Sequence, residues 1–266
     1  NKKLNAQFSF ENASIGFIKS FPLLAIDVEN IKVVGKNVFA KDTLASIPNL
    51  SVQINLMKYI FDHQVEIEKV KITRANIHLL VLKDGKENWN IVKQDSTKKA
   101  DTTQIQIALK KYELIESNIT YSDDMRGVKT EVNNITHSGK GDFSKNIFTL
   151  ETSTHAEQLS LSYLGKTYLS DVKTSLVAPI QMNFDKMEFA FKNNDLVLNE
   201  LPIHFDASFA MPDSNIDMDI SFSAATSPLK DFLSLVPILY QNSFKELSAS
   251  GNFTLSGYMK GRMNDS

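Results

Sequence analysis

Apolar and polar residues alternate along most of this chain. Leu50, Val52, Ile54 and Leu56 form one such run; Val172, Thr174, Leu176, Ala178, Ile180, Met182 and Phe184 form another. Ile203, Phe205, Ala207 and Phe209 make a third, and Ile216, Met218, Ile220 and Phe222 a fourth. A period of two belongs to a strand with one dry and one wet face. Short turns separate the runs and no long helical spacers intervene. Sequential antiparallel pairing, a meander, is the economical topology for such a chain. A further pair, Met187–Phe191 and Leu196–Leu198, flanks Asn193-Asn194, which reads as a two-residue turn.

One stretch, Val65 to Asn90, says more than the others. Val65 and Ile67 are dry at odd numbers, Val70 and Ile72 at even ones, and Ala75, Ile77, Leu79 and Val81 at odd numbers again. Each slip would turn the dry face outward unless an extra residue is absorbed in a bulge. The pattern therefore predicts one long strand bulged near Glu68-Lys69 and Thr73-Arg74. An Asp84-Gly85 turn and a return strand containing Trp89 should follow, because both turn residues tolerate positive φ. A long, coiled, twice-bulged strand suits a curved sheet better than a compact sandwich. The segment also has an echo: Lys69–Ile77 aligns with Lys111–Ile119, and Val28–Lys36 aligns with Val132–Lys140. Both alignments share an apolar residue, an off-phase Asn and then Ile, as expected of a repeated bulge.

Two places read as helix. Met57–Asp62 is too short to stand alone. Residues 227–240 open with Ser227 at an N-cap and Pro228 at the first helical position. Leu229, Phe232, Leu233 and Val236 share one face, with Lys230 and Asp231 assigned to water and Pro237 ending the helix. Residues 93–104 are polar, charged and without apolar anchors, and read as a flexible linker inside one region spanning residues 1–266.

Composition narrows the function classes. The chain has 266 residues and is 42% hydrophobic, ample for a core. Its formal net charge of −2 gives no basic face for nucleic acid. It has no cysteine, which removes disulfides, thiolate metal sites and thiol nucleophiles. No segment reaches the ~20 apolar residues of a membrane-spanning helix. The chain opens at Asn1 without a methionine and reads as a soluble region of something longer.

The search for chemistry is short. His63, His78, His137, His155 and His204 show no metal-ligand spacing, and His78 and His204 occupy polar phases of their strands. There is no nucleophile elbow, phosphate loop or dinucleotide fingerprint. Asp217 and Asp219, with Asp213 nearby, share a strand face and could hold a hard cation. The plainer reading sends them to water, as for Asp123-Asp124 in a turn. Phe184, Phe189, Phe191, Phe205, Phe209 and Phe222 are either core residues or the lining of an open apolar channel.

The strand Ile67–Leu79 followed by Asp84-Gly85-Lys-Glu-Asn88-Trp89 resembles the amino-terminal module of the AsmA family, bacterial relatives of bridge-like lipid-transfer proteins. Residues 13–24, 50–61 and 235–257 are similar to other parts of that family. The resemblance implies a mainly β fold: a long, curved, largely antiparallel sheet forming a hydrophobic groove or half-barrel, with one or two short helices. It further implies a non-enzymatic periplasmic module without cofactor or metal, anchored to the inner membrane of a Gram-negative bacterium. Its partners would be phospholipid acyl chains, moved between the inner and outer membranes in support of outer-membrane biogenesis. Within that expectation Val70, Ile72, Ile77 and Leu79 are the chosen lipid contacts, because a bulge joining their two phases would keep all four on the concave side. The alternative is a β-rich scaffold whose core is closed by its own side chains, with all four inside it.

Overall fold

The computed structural model describes residues 4–17, 22–92, 107–213, 215–237 and 250–264. Among them are fifteen strands, one 3-10 turn and two short α-helices, so the chain is mainly β. It divides into two compact units, residues 1–136 with 162–166, and residues 137–161 with 167–266.

In the first unit β1 (Ala6–Ser9) and β2 (Asn12–Phe17) lie side by side along β3 (Leu23–Gly35). β3 pairs antiparallel with β4 (Thr43–Asn55), and β4 with β5 (Val65–Thr73) and the start of β6 (Asn76–Val81). The order then leaves the meander. β5 and β6 pair in parallel with β7 (Ile107–Leu109) and β8 (Lys111–Asp123), and β8 is followed by β9 (Val128–Lys140). The sheet is thus largely antiparallel with one parallel step. Residues 93–104, read as a linker, lie within the connection into β7 and outside the described residues.

Both slips in the 65–81 stretch have a structural cause. Gln53 faces Lys69 while Ile54 faces Ile67, which leaves Glu68 as the extra residue of a bulge. At the second slip Arg74 adopts φ 56° and separates β5 from β6, so two strands stand where one long bulged strand was expected. The echo has a physical meaning as well. Val70 pairs with Tyr112 and Ile77 with Ile119, so the two copies, 42 residues apart, lie directly beside each other in parallel register. Glu116 repeats the φ of Arg74, and Asn134 repeats that of Asn30, at the corresponding positions of the two alignments.

These left-handed residues follow a rule. Exposed Arg74, Glu116, Asn134, Asp171 and Asn193 each precede a buried residue: Ala75, Ser117, Ile135, Val172 and Asn194. A non-glycine residue in this conformation costs ~1–2 kcal/mol. The break shifts the alternation by one place and keeps the dry side dry. The ladder N–H freed at each break finds a partner. Glu116 donates to Thr136 Oγ1, Asn134 to Asn118 Oδ1, Asp171 to Ser160 Oγ and Asn193 to Asp206 Oδ1. Arg74 instead donates to the Ile115 carbonyl.

Turn Asp84-Gly85 forms as expected, with Gly85 at φ 77°, but the return strand does not. Main-chain pairing stops after one bridge, Val81 to Glu87, and the Asn88 side chain continues it. Its Oδ1 accepts from the Leu80 N–H at 3.0 Å and its Nδ2 donates to the His78 carbonyl at 2.8 Å. Trp89 then packs, alongside Leu79 and Ile31, against the buried cluster Ala6, Val33 and Leu44, with its ring 6.2 Å from that of Tyr121. The predicted short helix is α1 (Leu56–Asp62), started by the Asn55 side chain accepting from the Lys58 N–H and ended by left-handed His63.

Asp123 corrects an expectation. It is buried, not solvated, and its carboxylate organises the turn after β8. It accepts from the Arg126 N–H at 2.8 Å, the Arg126 guanidinium at 3.2 Å and the Tyr121 hydroxyl at 3.2 Å. Burial pushes this carboxyl up, but the three donors outweigh it and hold it below the ordinary Asp range. A depressed carboxyl stabilises the fold above its unfolded-state value and loses that contribution as pH falls through its folded-state value. Asp123→Asn is therefore expected to cost about 2 kcal/mol at neutral pH. Its deficit against wild type should shrink below about pH 4, measured by urea denaturation at pH 7 and pH 3. A deficit independent of pH would refute the charged role.

The second unit contains β10 (Ile147–Tyr163), β11 (Lys166–Asn183), β12 (Glu188–Leu198), β13 (Leu201–Ala210), β14 (Asn215–Pro228) and β15 (Asn252–Asn264). From β11 to β15 every neighbour is antiparallel and consecutive, a true meander. Asn193-Asn194 is not a turn. It lies inside β12, where the register shifts between Phe191 and Asn194. The helix expected over 227–240 is α2 (Leu229–Leu233), since Ser227 and Pro228 finish β14. Asp231, assigned to water, is buried, and Phe232 is exposed while its ring packs 5.4 Å from that of Phe253. Residues 238–240 lie outside the described residues.

Candidate functional apolar face

Strand pairing in the first unit lines up apolar residues in three rows. Ile15, Ile26, Val52, Val70 and Tyr112 face one another across β2, β3, β4, β5 and β8. Ala13, Val28, Leu50, Ile72 and Leu114 form the next row. Phe17, Leu24, Ile54, Ile67 and Leu109 form the third, with β7 in place of β8. Directly opposed residues project from the same face of a sheet, so this is one continuous apolar surface. At ~4.8 Å per strand, five strands span roughly 20 Å.

Burial decides what kind of surface it is. None of these residues is among the buried hydrophobics of the described chain. Those on β3, β4, β5, β7 and β8 are half-buried by their neighbours in the sheet, and Ile15 and Phe17 on β2 are 71% and 69% exposed. Among the described residues no second layer closes this face as Trp89 closes the cluster around Leu79. Burial raises the Tyr112 phenol above its ordinary range, consistent with its place in the apolar row.

The reverse face is polar at the same levels. Ser14, Asp27, Ser51, Lys71 and Glu113 pair across the same strands, and a surface cleft on that side includes Ser14, Asp27, Lys69 and Lys71. Ion pairs tie its rim. Lys69 and Lys111 each lie 2.8 Å from the Glu113 carboxylate, and Lys110 lies 2.9 Å from Glu66 and 3.2 Å from Glu68. The hydrogen bond to Glu66 holds the Lys110 ammonium above its usual range. Glu68, the extra residue of the bulge, is thereby fixed on the wet side.

The four sequence-chosen residues divide into two settings. Val70 and Ile72 lie in the middle of the open rows. Ile77 is half-buried opposite Ala45 and Ile119, and Leu79 packs against the cluster that Trp89 and Ile91 cover. Sequence reasoning missed Ile26, Val28, Leu50, Val52 and Leu114 as parts of the same surface. Their alternation was visible; their alignment depends on register, which only the pairing gives.

The second unit repeats the arrangement. Met182, Phe189, Phe209 and Met218 align, as do Ile180, Phe191, Ala207, Ile220 and Met259. The ring of Phe184 lies 5.9 Å from that of Phe189, and the ring of Phe191 lies 6.4 Å from that of Phe205 and 5.9 Å from that of Phe209; none of these five is buried. On the polar side Asp217 is held by the Arg262 guanidinium (2.7 Å from Nη2) and Asp219 by Lys260 at 2.7 Å. Arg262 keeps the Asp217 carboxyl below its ordinary range. These cross-strand pairs account for the two carboxylates without a cation. Among the described residues no group of three or more His, Asp or Glu is placed to hold a metal.

Each unit thus carries aligned rows of apolar residues on one side of its strands and cross-strand ion pairs on the other. Comparison with known proteins agrees with the Asp84-Gly85…Asn88-Trp89 resemblance. No curated protein matches this chain. Residues 1–201 match the AsmA family over three quarters of the sequence, and the chain belongs to that family.

Proposed function

We propose that this chain is a non-enzymatic lipid-binding module that carries phospholipid acyl chains along its apolar face, in service of lipid transfer between bacterial envelope membranes. The observation that carries this reading is the five-strand apolar surface around Val52, Val70 and Ile72, which no described layer covers. Each CH₂ laid against such a surface gains ~0.8 kcal/mol, so holding an acyl chain needs neither a specific contact nor a cofactor. AsmA membership supports an envelope role in general. On this reading the protein works in the periplasm and is tethered to the inner membrane. Among the described residues no helix is long and apolar enough to cross a bilayer, so the tether would lie elsewhere.

The test is photocrosslinking in cells with a diazirine phospholipid, together with native mass spectrometry of the purified protein. Wild type is expected to carry phospholipid. Ile72→Asp and Val52→Asp change half-buried positions, should remain folded by circular dichroism, and should lose most of the crosslinking. Lys71→Ala, on the opposite face, should retain it. Folded Ile72→Asp and Val52→Asp proteins that crosslink as wild type does would dismiss the proposed face.

A further inference from the structure

The line of left-handed breaks divides the apolar side of the first unit into two fields. On one side of Asn30, Arg74 and Glu116 lie the three open rows. On the other, Phe8, Val33, Ala45, Ile77 and Ile119 form a further row across β1, β3, β4, β6 and β8. Each break absorbs one residue, so both fields belong to the same dry side of the same strands. The first field is uncovered among the described residues, whereas the second carries the buried cluster of Ala6, Val33 and Leu44.

A ring of hydrogen-bonded segments closes the second field. β1, β3, β4 and β6 pair in that order. Residues 87–92 complete the circuit as a strap. They leave from β6, where Glu87 bridges Val81 and the Asn88 N–H donates to the Leu80 carbonyl. They arrive at the chain entering β1, where the Asn5 N–H donates to the Ile91 carbonyl at 2.7 Å and Leu4 bridges Val92. Every segment of the ring contributes to the cluster: β1, β3 and β4 its buried members, β6 Leu79, and the strap Trp89 and Ile91. Strands closed in this way have no free edge and fill their interior with side chains.

We propose, resting on the lipid-binding reading above, that this ring is the side wall of the lipid strip. Trp89 and Ile91 occupy the part of the apolar side that an acyl chain would otherwise take. The two compete with lipid for one surface. Side chains on a strap hydrogen-bonded at both ends lose little freedom on packing, while a free lipid must be immobilised. Lipid is therefore excluded from the field the strap covers and keeps the one it does not. That leaves three rows, from the level of Leu24 to that of Val28, about 13 Å wide at ~6.6 Å between rows. Trp89 and Ile91 thereby set the width of the strip, and the Asp84-Gly85 turn and Asn88 bring them into place.

The test maps where a diacyl phosphatidylglycerol with a mid-chain diazirine labels the purified chain, read by mass spectrometry of the digested protein. In wild type the label should fall on the rows around Val52, Val70 and Ile72, and stay at background on Val33, Ile77 and Leu79. Trp89→Ala and Ile91→Ala, shown folded by circular dichroism, should raise the label on Ile77 and Leu79 about tenfold, the gain of roughly two further CH₂ contacts. Trp89→Phe should keep the wild-type map. Wild-type label spread equally over both fields would overturn the wall, even if neither alanine variant folds. So would folded alanine variants whose label stays on the open rows alone. Label on neither field would remove the lipid reading itself, and the wall with it.

Discussion

Replacing Trp89 with alanine is expected to destabilise the first unit by about 3 kcal/mol, the scale of emptying a large aromatic from a packed site. Trp89 is the single tryptophan of the chain and the lid of its one described hydrophobic cluster. It packs, as Leu79 and Ile31 do, against the buried cluster of Ala6, Val33 and Leu44 from β1, β3 and β4, and its ring lies beside Tyr121 of β8. One side chain therefore joins a cluster drawn from β1, β3 and β4 to a ring on β8. Removing it uncovers part of that cluster and leaves Tyr121 without its ring partner. Urea denaturation followed by circular dichroism measures the loss, and Trp89→Phe should recover more than half of it. A loss under about 1 kcal/mol, the size of an ordinary surface change, would show that the cluster is held by other means.

The sequence made the strands legible because alternation is a local signal. The bulge at Glu68 and the break at Arg74 were both visible as slips of phase, since a buried face tolerates no unabsorbed extra residue. The 42-residue echo proved to be β5 and β6 lying in parallel register along β8, Val70 beside Tyr112 and Asn76 beside Asn118. The parallel step itself was hidden, because alternation is the same whichever way the neighbour runs. Asp123 was misread because an aspartate in a turn usually caps it from solvent. The available signal was its spacing to Arg126, three residues on, with Gly127 behind it. The helix after Ser227 was overextended for a related reason: Ser-Pro is as suitable for ending an edge-side strand as for opening a helix. Of the open rows only Val70 and Ile72 were picked out beforehand. Periodicity says that Leu50, Ile72 and Leu114 are dry, but only pairing brings them into one line, and only burial shows that the line is uncovered.

Asn88→Ala is expected to cost about 2–4 kcal/mol, far more than one polar side chain near a loop usually contributes. The reason is what the amide replaces. β4 accompanies β6 only as far as Ile77 opposite Ala45, and beyond that point no strand among the described residues pairs with this edge of β6. The main chain of the hairpin returns one bridge, Val81 to Glu87, and then departs toward Trp89. Asn88 fills the gap with both ends of its side chain, one oxygen accepting from Leu80 and one nitrogen donating to His78. It is buried, and its own N–H donates to the Leu80 carbonyl at 3.0 Å. Alanine leaves the Leu80 N–H and the His78 carbonyl without partners in a site water does not readily reach, each at ~1–3 kcal/mol. Aspartate should rescue little, because it accepts from Leu80 but turns a second oxygen toward the His78 carbonyl. Amide hydrogen exchange provides the specific readout. Leu80 should lose protection in Asn88→Ala and keep much of it in Asn88→Asp, which retains the acceptor, while amides of β3 remain slow. If Leu80 exchanges as slowly in Asn88→Ala as in wild type, the side chain is not the strand's substitute, and the Asp-Gly…Asn-Trp motif must act through Trp89 alone.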